Sequence, residues 1–126
     1  MFVAVDNKSR VIGFYSLSAF TLALDDLPEP IARKLPRYDA IPAARIGRLA
    51  RAEHTRGRGI GRLLLADALR RILGVSQSVA VFAIVVDAKD QRAALFYSRF
   101  GFQPFPSQPD RLYLLASSAI AALEHG

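Results

Sequence analysis

Residues 44–71 read ARIGRLARAEHTRGRGIGRLLLADALRR, and this stretch decides the fold of the 126-residue chain. An apolar strand over Ala43 to Arg51 leads into a turn with glycines at 57, 59 and 61, and a leucine-rich helix follows. The same stretch carries eight arginines against two acidic residues, which accounts for the whole formal net charge of +6. A positive field concentrated in one element attracts polyanions and raises their rate of encounter.

The glycine turn indicates which kind of anion would bind. Helix N-termini present unpaired backbone N–H groups and the positive end of the helix dipole, and glycine lets a ligand approach the backbone closely. We therefore expect a phosphate cradle between the strand and the helix, with a plain tight turn as the alternative. The turn is not a Walker loop, because no Gly-Lys-Ser/Thr follows. It is not a dinucleotide fingerprint either, because its glycine spacing differs.

Composition predicts one globular domain over residues 1–126, with 52% hydrophobic residues. The absence of cysteine excludes disulfides and thiolate chemistry and is typical of the reducing cytoplasm, where we expect the protein to act. The two histidines, His54 and His125, lie far apart, so we expect no metal site. The longest apolar run, Val79 to Val86, is too short to cross a bilayer, so we expect no membrane association.

The residue pattern predicts an α/β fold with a mixed central sheet flanked by helices. Phe2 to Val5 and Arg10 to Ser18 are predicted to form a hairpin, and Ala19 to Pro42 an irregular, proline-rich loop. The first long helix is predicted over Gly59 to Leu73, ending at Gly74. Its core stripe is predicted to be Ile60, Leu63, Leu64, Ala68 and Ile72, widened by Leu65, Leu69 and Leu73. The remaining predicted elements are a buried strand over Val79 to Val86, a helix from about Asp90 to Arg99 stopped by Gly101, strands over Phe102 to Phe105 and Arg111 to Leu115, and a last small helix.

Two motifs in this pattern resemble signatures of the GNAT N-acetyltransferases. Arg56-x-x-Gly59-x-Gly61 resembles their acetyl-CoA loop, and residues 94–102, ALFYSRFGF, resemble their second signature. Around these motifs, VIGFYSLS, LPRYDAIPAARIGRLA, GFQPFP and RLYLL resemble the acetyltransferase toxins of bacterial type II toxin–antitoxin systems over nearly the whole chain. The resemblance implies a GNAT fold and acetyl transfer from acetyl-CoA to the α-amine of aminoacyl-tRNA, which blocks translation. It also implies neutralisation by a cognate ribbon-helix-helix antitoxin.

The resemblance further implies which residues form the site. Backbone N–H groups over Arg56 to Arg62 would hold the CoA pyrophosphate, and the strand edge over Ile46 to Arg51 would pair with the pantetheine amides. A backbone N–H near Leu49 or Ala50 would polarise the thioester carbonyl. Tyr97 stands where these enzymes place the general acid that protonates the departing CoA thiolate. The implied cofactor-binding residues are Leu49, Ala50, Arg51, Arg56, Gly57, Arg58, Gly59, Ile60, Gly61 and Arg62.

The other arginines of the basic stretch are candidates for binding tRNA phosphates, and the candidates are Arg45, Arg48, Arg70 and Arg71. An arginine-rich face could instead keep the protein soluble or meet an acidic tail of the antitoxin. No strong base is required, because the α-amine has a pKa of roughly 7.7–8.0 and the thioester is already activated. Glu53 or His54 could assist through water, with exposed loop residues as the alternative interpretation.

The chain departs from the toxin pattern in two places. Family members begin with a strand and two helices before the hairpin seen here at Phe2, which predicts a shortened natural form or a fragment. Arg51-Ala52 also stands where the family usually has Val-Asp. Two alternatives therefore remain: a non-catalytic remnant that binds CoA or an antitoxin, and an acetyltransferase for a small amine or a protein N-terminus. A homodimer is compatible with each of these interpretations.

Overall fold

A six-stranded mixed sheet lies at the centre of the computed structural model, which describes residues 1–35, 41–55, 57, 59–75 and 81–125. The strands are β1 (Phe2–Val5), β2 (Val11–Leu22), β3 (Ile41–Arg51), β4 (Ala83–Asp87), β5 (Gln103–Phe105) and β6 (Gln108–Leu115). Their spatial order is β1-β2-β3-β4-β6-β5, with β3 and β4 parallel and the other neighbours antiparallel. This architecture confirms the predicted α/β fold with a mixed sheet.

The helices are α1 (Glu29–Ala32), α2 (Ile60–Val75), α3 (Gln91–Phe100) and α4 (Ala116–His125). The predicted ends of α3 are confirmed. At its start the Asp90 side chain accepts a hydrogen bond of 2.8 Å from the backbone N–H of Ala93, as an N-cap does. At its end Gly101 adopts a φ of 122°, which glycine reaches without steric cost.

The two faces of the sheet carry separate apolar cores. On the face that we call the helical face, Ile46, Ile84 and Val86 pack with residues of α2, α3 and α4. The other face, which we call the opposite face, packs Ala43, Ala83, Val85 and Tyr113 with residues around α1. Successive side chains of a strand alternate between faces, so β4, flanked by strands on both edges, is buried on both of them. The prediction of a strand without a polar face is confirmed for residues 83–86.

Three predictions about α2 and β4 were wrong in detail. The helix continues through Gly74 to Val75, because a glycine in right-handed backbone conformation weakens a helix without ending it. Leu63 is 62% exposed, whereas Leu65 and Leu69 are fully buried, so α2 is rotated away from the predicted stripe at this position. The strand begins at Ala83, and residues 79 and 80 of the predicted strand lie outside the described residues.

Three strands are longer than predicted, namely β2, β3 and β6. β2 runs on to Leu22 and β3 begins at Ile41, because these two residues close an antiparallel ladder within the segment predicted as loop. Residues 36–40 of that predicted loop lie outside the described residues. β6 begins at Gln108, which pairs with Phe105 across a short turn. In the described part of the chain, no helix is long and apolar enough to cross a membrane.

Two glycines in different surroundings test this packing. A Cβ on Gly13 would stand 2.5 Å from Leu64 Cδ1 and 2.9 Å from the backbone oxygen of Ala50, so Gly13→Ala should destabilise the fold by about 1–3 kcal/mol. Gly74 has no heavy atom within 4 Å of such a Cβ, so Gly74→Ala should stabilise α2 by up to about 1 kcal/mol. Urea unfolding followed by circular dichroism measures both changes. Equal changes of the same sign in the free energy of unfolding of the two variants would contradict this packing.

Candidate functional site

An opening in the sheet lies between β3 and β4. Their parallel pairing covers four positions and ends where Ile46 meets Val86, although β3 continues to Arg51. The register of β3 against β2 shifts at the same point, because Ser16 pairs with Arg48 and Leu17 with Ile46, which leaves Gly47 as an extra residue. A bulge bends its strand and increases the local twist. Beyond Ile46, the edge of β3 that faces β4 has no strand partner within the described ranges and is open to a ligand.

The glycine turn lies next to this opening, at the start of α2. Gly57 and Gly59 have φ angles of 84° and 71°, a conformation that side chains with a Cβ rarely adopt. A Cβ on either glycine would project into open space. The backbone N–H of Leu63 donates to the Gly59 oxygen at 3.2 Å, so the N–H groups just before it belong to the unpaired first turn of the helix. Arg56 and Arg58 lie outside the described residues.

A cavity of about 500 Å³ joins the turn, the open strand edge and α3. Nine predicted site residues line it, namely Leu49, Ala50, Arg51, Gly57, Gly59, Ile60, Gly61, Arg62 and Tyr97. Among the described residues, its basic side chains are Arg51, Arg62, Lys89 and Arg92, against the acidic Glu53 and Asp90. The excess of positive charge and the unpaired N–H groups make this cavity suited to a phosphate-bearing ligand.

Tyr97 is the phenol that α3 brings to the cavity. It is buried, and its ring lies 5.2 Å from that of Phe96 and 5.4 Å from that of Phe102, measured between centroids. Burial raises the pKa of Tyr97 above its ordinary value, so the phenol stays protonated at neutral pH. Among the described residues its hydroxyl has no hydrogen-bond partner, and it is free to donate to a ligand.

Sequence reasoning missed part of the cavity wall. Lys89, Asp90, Arg92, Ala93 and Phe96 line it from the start of α3. The Phe96 ring comes within 3.6 Å of a Cβ built on Gly61, so α3 packs against the first turn of α2. The spacing of Ala93 and Tyr97, one helical turn apart, could have indicated a shared face of α3. Glu53 also lines the cavity, whereas His54 is an exposed residue outside its lining.

The four predicted RNA-binding arginines fall into two groups on different faces of the sheet. Arg70 and Arg71 lie on α2, where both are exposed. Arg45 lies on β3 and forms an ion pair of 2.6 Å with Asp87, while Arg48 is exposed two residues beyond Ile46. The structure therefore does not bring the four side chains together in one patch.

Arg71 belongs to a network that ties α2 to β2. The Tyr15 hydroxyl donates to Asp67, and Arg71 Nε donates to the Tyr15 oxygen at 2.8 Å and to Asp67 at 3.2 Å. The Arg71 guanidinium also lies 4.3 Å from the centroid of the Phe2 ring. Burial, together with the hydrogen bond to Asp67, raises the pKa of Tyr15 to about 12. The hydrogen bond from Tyr15 is the main cause that lowers the pKa of Asp67.

A second cavity, of about 750 Å³, lies at the other end of α2. Its walls are mostly apolar and include Phe2, Leu17, Ile72 and Val81, and the titratable side chains among its described lining residues are Arg70 and Arg71 of α2. The described part of its lining therefore offers no group that could exchange a proton at neutral pH. Within the described ranges, no three His, Cys, Asp or Glu side chains come together in a group that could hold a metal ion.

Comparison with known proteins gives a family and two close relatives. The model of the acetyltransferase (GNAT) domain matches residues 1–104. The probable toxin TacT of Sinorhizobium fredii is 37% identical, over 86% of this chain and 64% of its own length. The tRNA-acetylating toxin of Mycobacterium tuberculosis is also 37% identical, over 93% of this chain and 69% of its own length. The chain thus spans about two thirds of the length of these relatives.

Solved structures share the fold over most of the chain. A tyrosine-to-phenylalanine mutant of KacT matches with a TM-score of 0.85 and 29% identity, over 94% of this chain and 71% of that one. AtaT complexed with acetyl-methionyl-tRNAfMet matches with a TM-score of 0.83 and 27% identity, over 92% and 69%. AtaTR bound with AcCoA matches with a TM-score of 0.77 and 26% identity, over 94% and 70%. The arrangement of sheet and helices described above is therefore that of these proteins.

The Asp67 network predicts a pH dependence of stability. The pKa of Asp67 is lower in the folded state than its unfolded value of 3.8. Its contribution to the free energy of unfolding is therefore fully present above pH 3.8 and is lost as the pH falls through the folded-state pKa. Because Asp67 is half-exposed, the contribution is at most about 1 kcal/mol. Urea unfolding of the wild type and of Asp67→Asn should differ at pH 7 and converge in acid.

The matched control for this prediction is Asp25→Asn, at an exposed position of the segment before α1. It makes the same type of substitution, aspartate to asparagine, at a residue outside the Tyr15 network. We expect its unfolding free energy to follow the wild type at every pH. A difference between the wild type and Asp67→Asn that persists unchanged in acid would exclude the ionised carboxylate as the source of the stabilisation.

Proposed function

We propose that this chain, which belongs to the GNAT acetyltransferase family, transfers an acetyl group from acetyl-CoA to the α-amine of aminoacyl-tRNA. The transfer blocks translation in the cytoplasm, and a ribbon-helix-helix antitoxin neutralises the protein. The observation that carries the proposal is the cavity in which the glycine turn, the open edge of β3 and the buried Tyr97 meet.

The residues of the cavity fit acetyl-CoA. The turn at Gly57 and Gly59 and the first N–H groups of α2 suit the pyrophosphate, because they offer donors without intervening side chains. Arg62 adds positive charge at the same end of the cavity. The open edge of β3 over residues 47–51 offers backbone groups to the pantetheine amides, as an added strand would use them. The bound donor supplies an activated thioester.

Within this site, the protein positions groups and stabilises charge. A backbone N–H at Leu49 or Ala50, on the open edge, hydrogen-bonds to the thioester oxygen as negative charge develops there. A neutral amine needs no strong base to attack an activated carbonyl, so holding the two reactants in line is the larger contribution. Glu53, in the cavity wall, can take up the proton that the amine loses through a water molecule.

Tyr97 handles the leaving group. As the carbon–sulfur bond breaks, the electron pair goes to sulfur, and the Tyr97 hydroxyl donates to the developing thiolate. Its raised pKa keeps the phenol protonated, so it remains a hydrogen-bond donor throughout the working pH range. Sulfur gains the proton of Tyr97, and Glu53 releases the proton of the amine to solvent. Tyr97 then takes a proton from solvent, so one proton is lost by the amine, one is gained by sulfur, and both side chains return to their starting states.

The relatives support tRNA as the acceptor and an antitoxin as the partner. The relative from Mycobacterium tuberculosis is a tRNA-acetylating toxin, and AtaT forms a complex with acetyl-methionyl-tRNAfMet. A tyrosine-to-phenylalanine mutant of AtaT is bound to the C-terminus of the antitoxin AtaR, in a structure that matches this chain with a TM-score of 0.71 and 26% identity, over 88% of this chain and 62% of that one. The concentration of arginines in residues 45–71 supports binding of a phosphate backbone by this chain.

Tyr97→Phe tests the proposal. It removes the proton donor and keeps the ring, so the rate constant for acetyl transfer to aminoacyl-tRNA should fall by roughly a hundredfold or more. The dissociation constant of acetyl-CoA should stay the same, since the phenol acts on the leaving group. Transfer of labelled acetyl from acetyl-CoA to a pool of aminoacyl-tRNAs measures the first quantity, and calorimetry measures the second.

Tyr113→Phe is the matched control, because Tyr113 is also buried with a raised pKa but lies on the opposite face of the sheet. It should transfer acetyl groups at the wild-type rate. Transfer by the wild type to a small amine or to a peptide N-terminus, with none to aminoacyl-tRNA, would exclude the proposed acceptor. Binding of acetyl-CoA without transfer to any acceptor would identify the chain as a non-catalytic relative of these enzymes.

A further inference from the structure

Three charged side chains meet on the opposite face of the sheet, at the ends of neighbouring strands. Arg45 on β3 and Arg111 on β6 both bind the carboxylate of Asp87 on β4, at 2.6 Å from Arg45 Nη2 and 2.8 Å from Arg111 Nε. Each lies two residues along its strand from a residue of the core on the opposite face, so all three side chains project from that face. We call them the Asp87 clamp.

The clamp stands beside the opening between β3 and β4. Asp87 directly follows Val86, whose pairing with Ile46 is the last between the two strands. Tyr97 belongs to the core on the other side of the sheet. A group that enters the opening from the clamp side therefore approaches the candidate active site from the face opposite α2.

The bulge at Gly47 adds a third arginine to this face. In a regular strand Arg45 and Arg48 would point to opposite faces, because they are three residues apart. They pair instead with Ser18 and Ser16, which share a face of β2, so the extra residue turns Arg48 to the same face as Arg45. Three guanidinium groups thus border the opening, and Asp87 is the carboxylate that pairs with two of them.

The clamp retains donors for a ligand. A guanidinium carries five N–H groups, and Arg45 uses one of its two terminal nitrogens for Asp87, which leaves the N–H groups of the other terminal nitrogen for a ligand. The Arg111 guanidinium lies 5.0 Å from the centroid of the Phe20 ring, which fixes its plane. Partial burial opposes the ionisation of Asp87, but hydrogen bonds and the charges of Arg111 and Arg45 outweigh it and lower its pKa. Both arginines are therefore held in place, and neither is fully neutralised.

We propose that Arg45 and Arg111, oriented by Asp87, bind a backbone phosphate of the single-stranded 3′ end of the acceptor RNA on the face of the sheet opposite Tyr97. This inference rests on the proposed function and specifies how the acceptor enters. The terminal N–H groups that Arg45 and Arg111 do not use for Asp87 can donate to the oxygens of a phosphodiester. An aminoacylated end must be single-stranded to pass its amine into the opening. Arg48 extends the positive surface along the strand.

The test compares two RNA hairpins of identical stem, one with a short single-stranded 3′ end and one blunt. Arg45→Gln and Arg111→Gln should each weaken binding of the first hairpin roughly tenfold at low salt. Each should also reduce the slope of log affinity against log salt by about 1. Binding of the blunt hairpin should not change. Fluorescence anisotropy with labelled hairpins measures both quantities.

Arg10→Gln is the matched control, because it removes the same charge from an exposed arginine that pairs with Asp6 in the turn between β1 and β2. Arg111→Lys keeps the charge of the clamp and removes the fork, so it should recover only part of the affinity. Thermal unfolding of each variant tests whether it is folded. In acetyl transfer, Arg45→Gln should raise the KM for aminoacyl-tRNA and leave the KM for acetyl-CoA unchanged.

The outcomes separate this inference from the proposed function. Selective loss of binding to the single-stranded end, in a protein that transfers no acetyl group, would support the clamp and reject the function. The clamp variants could instead transfer acetyl groups and bind both hairpins as tightly as Arg10→Gln does. That result would reject the clamp and support the proposed function. Equal losses on both hairpins, or no RNA binding by the unchanged protein at low salt, would also reject the clamp.

Discussion

The end of pairing between β3 and β4 is the constraint on which the rest of the site depends. Two parallel strands that stay paired leave no backbone group for a ligand, and the sheet would be closed at this point. Here the ladder stops at Ile46 and Val86, and an extra residue at Gly47 bends β3 away. The opening gives access to backbone donors and acceptors in the middle of a stable sheet. A ligand can bind there without unfolding any element, because β2 holds the other edge of β3 along its whole length.

The fold was largely predictable because its strongest signals are local. The leucine spacing of α2, the capping residue Asp90 and the stop at Gly101 act within one or two turns, where sequence patterns are reliable. The errors arose where tertiary contacts compete with local preference. Gly74 ends many helices but continues this one, and Leu63 fits the predicted apolar stripe but faces solvent because α2 is rotated on the sheet.

The site was predictable in part. The glycine turn and Tyr97 lie in motifs that could be read directly, and the structure places both in one cavity. The Asp87 clamp could not be read, because it depends on the register between strands that are far apart in the sequence. The bulge at Gly47 was also invisible, since a single inserted residue changes the direction of Arg48 without changing the apolar pattern. The four predicted RNA-binding residues are all arginines, so their residue type did not indicate that they lie on different faces of the sheet.

The proposed entry of the acceptor from the clamp side has a kinetic consequence for a two-substrate enzyme. When each ligand has its own entrance, neither blocks the path of the other, and both can bind first or leave first. The part of the cavity wall that the structure describes holds no serine or cysteine that could carry an acyl group between half-reactions. The geometry therefore favours a random sequential order through a ternary complex, and it opposes a ping-pong exchange in which one product must depart before the second substrate arrives.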